Sequence, residues 1–131
     1  MEFLKRLFGI CETRPPQDPG SWRVLDGDIL VELARVPELD IPGGAIRLED
    51  RHLPERVLVV RGENGRFHAF RNRCTHMGRR IDPLPGTDWI RCCSVSKSTF
   101  APDGKVISGP APKRLATFET RVEGGQLVIV V

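Results

Sequence analysis

The chain has 131 residues, 40% hydrophobic and 28% charged, with a formal net charge of +3. That suits a single soluble domain with its own core. No apolar run reaches the length of a membrane span, and Lys5 and Arg6 interrupt the start too early for a secretory leader, so a reducing cytoplasm is the expected location.

Residues 1–10 place Phe3, Leu4, Leu7 and Phe8 opposite Glu2, Lys5 and Arg6, which predicts a short amphipathic helix. Its apolar stripe is expected to pack on the domain or a partner, with peripheral membrane contact as the alternative. Pro15, Pro16, Pro19 and Gly20 then stop the helix and stiffen the chain. Residues 1–20 are thus expected to form a helix and Pro-rich linker, and residues 21–131 the folded domain.

From there the pattern is one of short strands. Residues 29–33 are apolar and β-friendly, and 45–48 follow the turn Pro42-Gly43-Gly44. Segments 57–60 and 67–70 flank Gly62-Glu63-Asn64-Gly65, and 118–122 and 127–131 flank Gly124-Gly125; both pairs predict hairpins. The expected fold class is all-β, an antiparallel sandwich or barrel. His68 is expected to be exposed on its strand and His52 to lie in a charged loop. Trp22 and Trp89 are expected to serve core or rim packing.

Residues 72–112 contain Pro83, Pro85, Pro102, Pro110 and Pro112, and they read as a loop-rich insertion where function would sit. Cys74-Thr75-His76 is followed seventeen residues later by Cys93, with Ser96 three residues beyond. Four cysteines could form two disulfides in a secreted protein, but three of them lie at metal-like spacings beside a histidine, which in a cytosolic chain favours metal or redox chemistry. Residues 66–114 carry ten Lys or Arg against three acids, a local charge of +7. Without a nucleic-acid module or many aromatics for stacking, that excess is expected to steer an acidic redox protein rather than bind nucleic acid. No Ser/His/Asp or paired-carboxylate arrangement is evident, so catalysis by the chain alone is left open.

The chain resembles a small Rieske-type 2Fe–2S ferredoxin over most of residues 30–131. The resemblance rests on Val57-Leu58-Val59-Val60-Arg61, Gly65-Arg66-Phe67-His68-Ala69-Phe70 and Asn72-Arg73-Cys74-Thr75-His76-Met77-Gly78. Further on, Phe100, Gly104-Lys105-Val106 and Ser108-Gly109-Pro110-Ala111-Pro112 also match. It implies a cluster held between two loops, two cysteines on one iron and two histidines on the other. The family usually writes its second loop C-P-x-H-G-S-x-F. Counting back from Phe100, this chain reads Cys93-Ser94-Val95-Ser96-Lys97-Ser98-Thr99-Phe100, so Ser96 stands for the second histidine and Lys97 for the glycine.

The expected metal ligands are therefore Cys74, His76, Cys93 and Ser96, with Ser98 donating to a bridging sulfide. Cys92 remains an alternative ligand, but in this register it points to the opposite side of the strand as a buried thiol. Cys11 lies outside the matched region and is expected to be an incidental thiol. A hydroxyl is a harder, poorer ligand than imidazole, so a cluster here is expected at or below the low end of the Rieske range of about −150 to +300 mV. The resemblance implies an electron carrier, the component of a larger system with a reductase or oxygenase as partner. Oxygenase catalysis itself is not expected, since such enzymes append a separate iron domain. The alternative functions are a cluster-free Rieske-fold accessory subunit of a larger reductase, and a site for another metal such as zinc.

Overall fold

The computed structural model of the protein describes residues 10–131, and the helix expected over residues 1–10 lies essentially outside them. Eleven strands follow in chain order: β1 (Trp22–Leu25), β2 (Asp28–Glu32), β3 (Ala45–Leu48), β4 (Val57–Arg61), β5 (Phe67–Arg71), β6 (Ile81–Pro83), β7 (Ile90–Cys92), β8 (Thr99–Phe100), β9 (Val106–Ser108), β10 (Thr117–Glu123) and β11 (Gln126–Val130). They form a seven-stranded sheet ordered β1-β2-β11-β10-β5-β4-β3 and a four-stranded sheet ordered β6-β7-β8-β9, antiparallel throughout. The all-β expectation holds.

β4 explains how the two sheets share a wall. Its sequence Val57-Leu58-Val59-Val60 is apolar without alternation, the pattern of a strand buried on both faces. Val57 and Val59 enter a core cluster with Ile29, Val31, Ile46, Leu127 and Ile129. Leu58 and Val60, pointing the other way, join Phe70, Ile81, Ile90, Phe100, Leu115, Cys74 and Cys92. The second cluster therefore places two cysteines against the back of the scaffold.

The expected β4–β5 and β10–β11 hairpins both form, in registers Val59↔Ala69 and Arg121↔Val128. β1 was not foreseen. Its signal is Asp26-Gly27, whose φ angles of 52° and 85° suit a two-residue hairpin turn. The four-stranded sheet was read as loop because its strands are only two or three residues long. His68 is half-buried rather than exposed, its ring stacked near Phe70 with centroids 6.4 Å apart. Burial accordingly lowers its pKa.

The Pro-rich segment is tied down across both sheets. Asp82 on β6 accepts the Glu12 and Thr13 N–H groups at 2.6 and 3.1 Å. Arg14 offers its carbonyl to the Arg47 N–H of β3 at 3.1 Å.

Candidate metal centre

Three loops converge at one end of the small sheet. The first, residues 72–78, leaves β5 through Asn72, whose buried amide oxygen accepts the Ile81 N–H at 2.8 Å. Arg56 donates to the Asn72 and Gly78 carbonyls at 3.0 and 2.9 Å, and the Cys74 N–H reaches the Arg79 carbonyl at 2.7 Å. These bonds hold Cys74 inward at 1% exposure and leave His76 and Met77 at the surface.

The second loop, residues 93–98, leaves β7. Ile90 pairs with Phe100 and is buried; Arg91 turns away; Cys92, two residues after Ile90, shares its inward face. The Cys92 N–H donates to Ser98 at 2.8 Å, and the Cys93 N–H to Arg80 at 3.0 Å. Lys97 closes the loop in the left-handed region at φ 55°.

The third loop, residues 109–113, covers the other two. Gly109 has φ 91°, and a Cβ there would lie 2.5 Å from the Ser98 Cα, so only glycine lets the two backbones approach this closely. The Ser98 hydroxyl accepts the Ala111 N–H at 3.1 Å, and Thr75 donates its hydroxyl to Lys113 at 2.7 Å.

What meets inside is Cys74 and Cys92. The two side chains pack in the same buried cluster, each 1% exposed. The neighbouring Cys74 thiol, aided by Ser94 and Ser96, draws the Cys92 pKa down against burial, whereas Cys74 is raised by Cys92 and by burial. Ser94 Oγ lies 3.1 Å from Cys92 Sγ and 2.7 Å from Ser96 Oγ, so a relay of hydroxyls runs from the Cys92 sulfur to Ser96.

Cys93 points the other way and forms a disulfide with Cys11, their Cα atoms 5.4 Å apart. Of the residues expected as ligands, the fold brings Cys74 and Ser96 to the site and leaves His76 exposed on its rim. It puts Cys92, not Cys93, beside Cys74, and makes Cys11 a bonded rather than an incidental cysteine. Period-two alternation from Ile90 is the signal that separates Cys92 from Cys93. Ser94 carried no such signal.

On the first loop's side, beside Cys74, lies an open hollow of about 380 Å³ lined by Arg71, Arg73, His76, Met77, Lys113 and Arg114, a basic rim from which Met77 projects at 70% exposure.

Two loops of an antiparallel scaffold thus each bring a cysteine into one buried cluster, under a proline-containing cover. The model of the Rieske [2Fe-2S] domain matches residues 30–119. The chain belongs to that family. It is 34% identical over 104 residues to the cytochrome b6-f complex iron-sulfur subunit of Chlorobaculum tepidum, covering 79% of this chain and 55% of that one. It is 28% identical over 96 residues to the 3-phenylpropionate/cinnamic acid dioxygenase ferredoxin subunit of Escherichia coli K12, covering 71% and 87%. The crystal structure of the cyanobacterial plasma membrane Rieske protein from Synechocystis PCC 6803 superposes with a TM-score of 0.57 at 28% identity, covering 67% of this chain and 87% of that one. The chain thus spans about half of the first relative and most of the other two.

The donor set fits a 2Fe–2S group unevenly. Two soft thiol donors in a dry pocket suit one iron; the other is offered one imidazole and hydroxyls, without a second histidine on these loops.

Proposed function

We propose that this chain carries single electrons as a ferredoxin-like component, with a 2Fe–2S cluster held by Cys74 and Cys92 on one iron and by His76 and the Ser96 hydroxyl on the other. This reading replaces Cys93 by Cys92 in the ligand set expected from the sequence. When bound, the cluster supplies reversible one-electron exchange. The chain's own residues do the rest: β4 and Phe70 exclude water from the thiols, and Ser94 steadies the Cys92 thiolate. Ser98, while accepting from Ala111, keeps its own proton free to donate.

The observation that carries the proposal is the meeting of Cys74 and Cys92, from two separate loops, in one buried cluster. The basic rim at Arg73, Lys113 and Arg114 supports docking of an acidic redox protein, a reductase or oxygenase, much as a named relative is the ferredoxin subunit of a dioxygenase. Among the described residues no helix is long and apolar enough to cross a membrane, and a cytoplasmic place is part of this reading.

A second reading, a cluster-free accessory subunit, draws on the serine at the second histidine position and on the close packing of the two thiols. Purification without oxygen, with iron and sulfide content, visible absorption and electron-paramagnetic spectra, separates the two. Wild type is expected to hold two irons, in line with the Rieske centre of its family. Cys92→Ala is expected to lose the iron and the spectrum, whereas Cys93→Ala keeps both. Iron retained in Cys92→Ala but lost in Cys93→Ala would return the ligand role to Cys93, and a colourless wild type after reconstitution would favour the accessory subunit.

A further inference from the structure

Cys92 ends β7 and Cys93 opens the bend that follows; Cys92 shares a buried cluster with Cys74 while Cys93 bonds to Cys11, so one of the two looks at Cys74 and the other away. A one-residue slip of the second loop would exchange them. The local pairing that opposes such a slip is short. β7 has three residues and β8 two, and the β8–β9 register is irregular between Thr99 and Phe100. Ile90↔Phe100, Arg91↔Thr99 and the Cys92 N–H bond to Ser98 align β7 with β8, and three pairs, Ile81↔Cys92 among them, align it with β6.

What fixes the choice from outside is a covalent bond. Cys93 is joined to Cys11, 82 residues earlier in the chain. Cys11 in turn belongs to the arm whose Glu12 and Thr13 N–H groups are held by Asp82 on the neighbouring strand β6. With Cys93 bound on the arm side, Cys92 has to face the core. The sulfurs of Cys11 and Cys93 and an Asp82 carboxylate oxygen all lie within 4.8 Å of one another, beside a cavity of about 470 Å³ lined in part by Ile10, Ala45, Leu84 and Arg91.

We propose that the Cys11–Cys93 disulfide is a reversible pin that holds the second loop in the register presenting Cys92 to Cys74, with Cys11 a positioning residue for the site. Its consequence for the cluster rests on the electron-carrier reading above, but the pin itself does not.

The two ends differ in access: Cys11 is half-buried and Cys93 only 4% exposed, so an incoming thiol meets Cys11 first. A dithiol reductant attacks Cys11 Sγ as its thiolate. The Cys11–Cys93 bond breaks, and its electron pair leaves on Cys93, which takes a proton. The second thiol of the reductant then closes its own disulfide and expels Cys11, which takes the other proton. Two electrons and two protons pass from the dithiol to the protein. Because Asp82 still grips Glu12 and Thr13, Cys11 stays beside Cys93; the oxidised form of the dithiol reverses the exchange, taking the Cys11 thiolate into a mixed disulfide that Cys93 then resolves within the chain, and the reductant leaves with two electrons and two protons. In the opened form Cys93 competes with Cys92 for the inward position.

The test is cysteine mapping on the full chain, first without cluster. In air-oxidised protein a linked Cys11–Cys93 peptide and two free thiols are expected, and a graded dithiol redox buffer should open the link reversibly. Diamide is then used to cross-link whichever cysteine faces Cys74. Wild type should give only the Cys74–Cys92 bond, and Cys11→Ser should gain a Cys74–Cys93 product that wild type lacks. Should Cys11→Ser fold poorly, dithiol-opened wild type with Cys11 alkylated makes the same comparison. Free Cys11 and Cys93 in the oxidised protein, or cross-linking through Cys92 alone in the opened forms, would overturn the pin. Iron loading of the same samples reads the cluster separately. Expected cross-links with no iron in any sample would defeat the electron-carrier reading and leave the pin standing.

Discussion

The two loops that meet at Cys74 and Cys92 are secured in different ways. The first is fastened to the scaffold by a buried amide, Asn72, and by the forked guanidinium of Arg56, which grips both of its ends. The second is held by its own short turn, by serine hydroxyls and by the disulfide from Cys93, and it bends through a left-handed lysine. A site built this way is rigid on one side and adjustable on the other. The side that departs from the family's sequence is the adjustable one.

Breaking the rigid side should have the larger effect. Asn72 is 1% exposed, and its side chain is the acceptor recorded for the Ile81 N–H at the start of β6. Asn72→Ala strands a buried donor, so about 1–3 kcal/mol of stability is expected to be lost in denaturant unfolding. Hydrogen exchange should show the damage at Cys74 and Ile81 first, with Cys93 following less. Equal loss of protection in both loops would mean that they are one cooperative unit and that the contrast is illusory.

The adjustable side can be sharpened instead. Lys97 adopts φ 55°, a region that costs a side chain about 1–2 kcal/mol relative to ordinary helix or strand backbone. Lys97→Gly removes that strain but adds about 0.5–1 kcal/mol of unfolded-state entropy to be lost. The net expectation is a gain of about 0.5–1 kcal/mol, read as a higher unfolding midpoint at unchanged slope. A loss would show that the lysine side chain contributes a contact that outweighs its backbone strain.

The same contrast governs what the sequence revealed. Apart from β1, the large sheet is legible because its strands are long enough for hairpin signals, as in Gly62-Glu63-Asn64-Gly65 and Gly124-Gly125. The first loop was legible because its motif is intact and its supports lie close in sequence. β6 to β9 were missed because strands of two or three residues carry almost no period. The choice between Cys92 and Cys93 went to Cys93 because counting back from Phe100 weighs loop length alone. Alternation forward from Ile90 instead selects Cys92, which requires the loop to hold one residue more. The Cys11–Cys93 bond could not be read at all, since it joins residues far apart in the chain and depends on how the arm crosses β6.

The smallest expected effect falls on the one segment that serves both loops. Arg79 and Arg80 accept the Cys74 and Cys93 N–H groups respectively, so their backbone carries one bond from each loop. Arg80 is anchored by Glu49 through two bonds, Nε to Oε2 at 2.8 Å and Nη2 to Oε1 at 2.7 Å. The hydrogen bonds from Arg80 hold the Glu49 pKa below the usual carboxylate range, against the opposing effect of burial. In the acid window between the folded and unfolded pKa values the unfolded chain binds the extra proton. Stability from this pair is therefore complete above the ordinary Glu value of about 4.3 and fades as pH falls through the lowered folded value. The pair is partly exposed, with 29% and 35% of its side chains accessible, which limits the effect to about 0.5 kcal/mol. Glu49→Gln should cost about that much at neutral pH and remove the matching part of the acid slope. Protection of the Cys74 and Cys93 amides should fall together. Were only the Cys93 amide to respond, Arg80 would be a support of the second loop alone, and the rigid side would owe nothing to it.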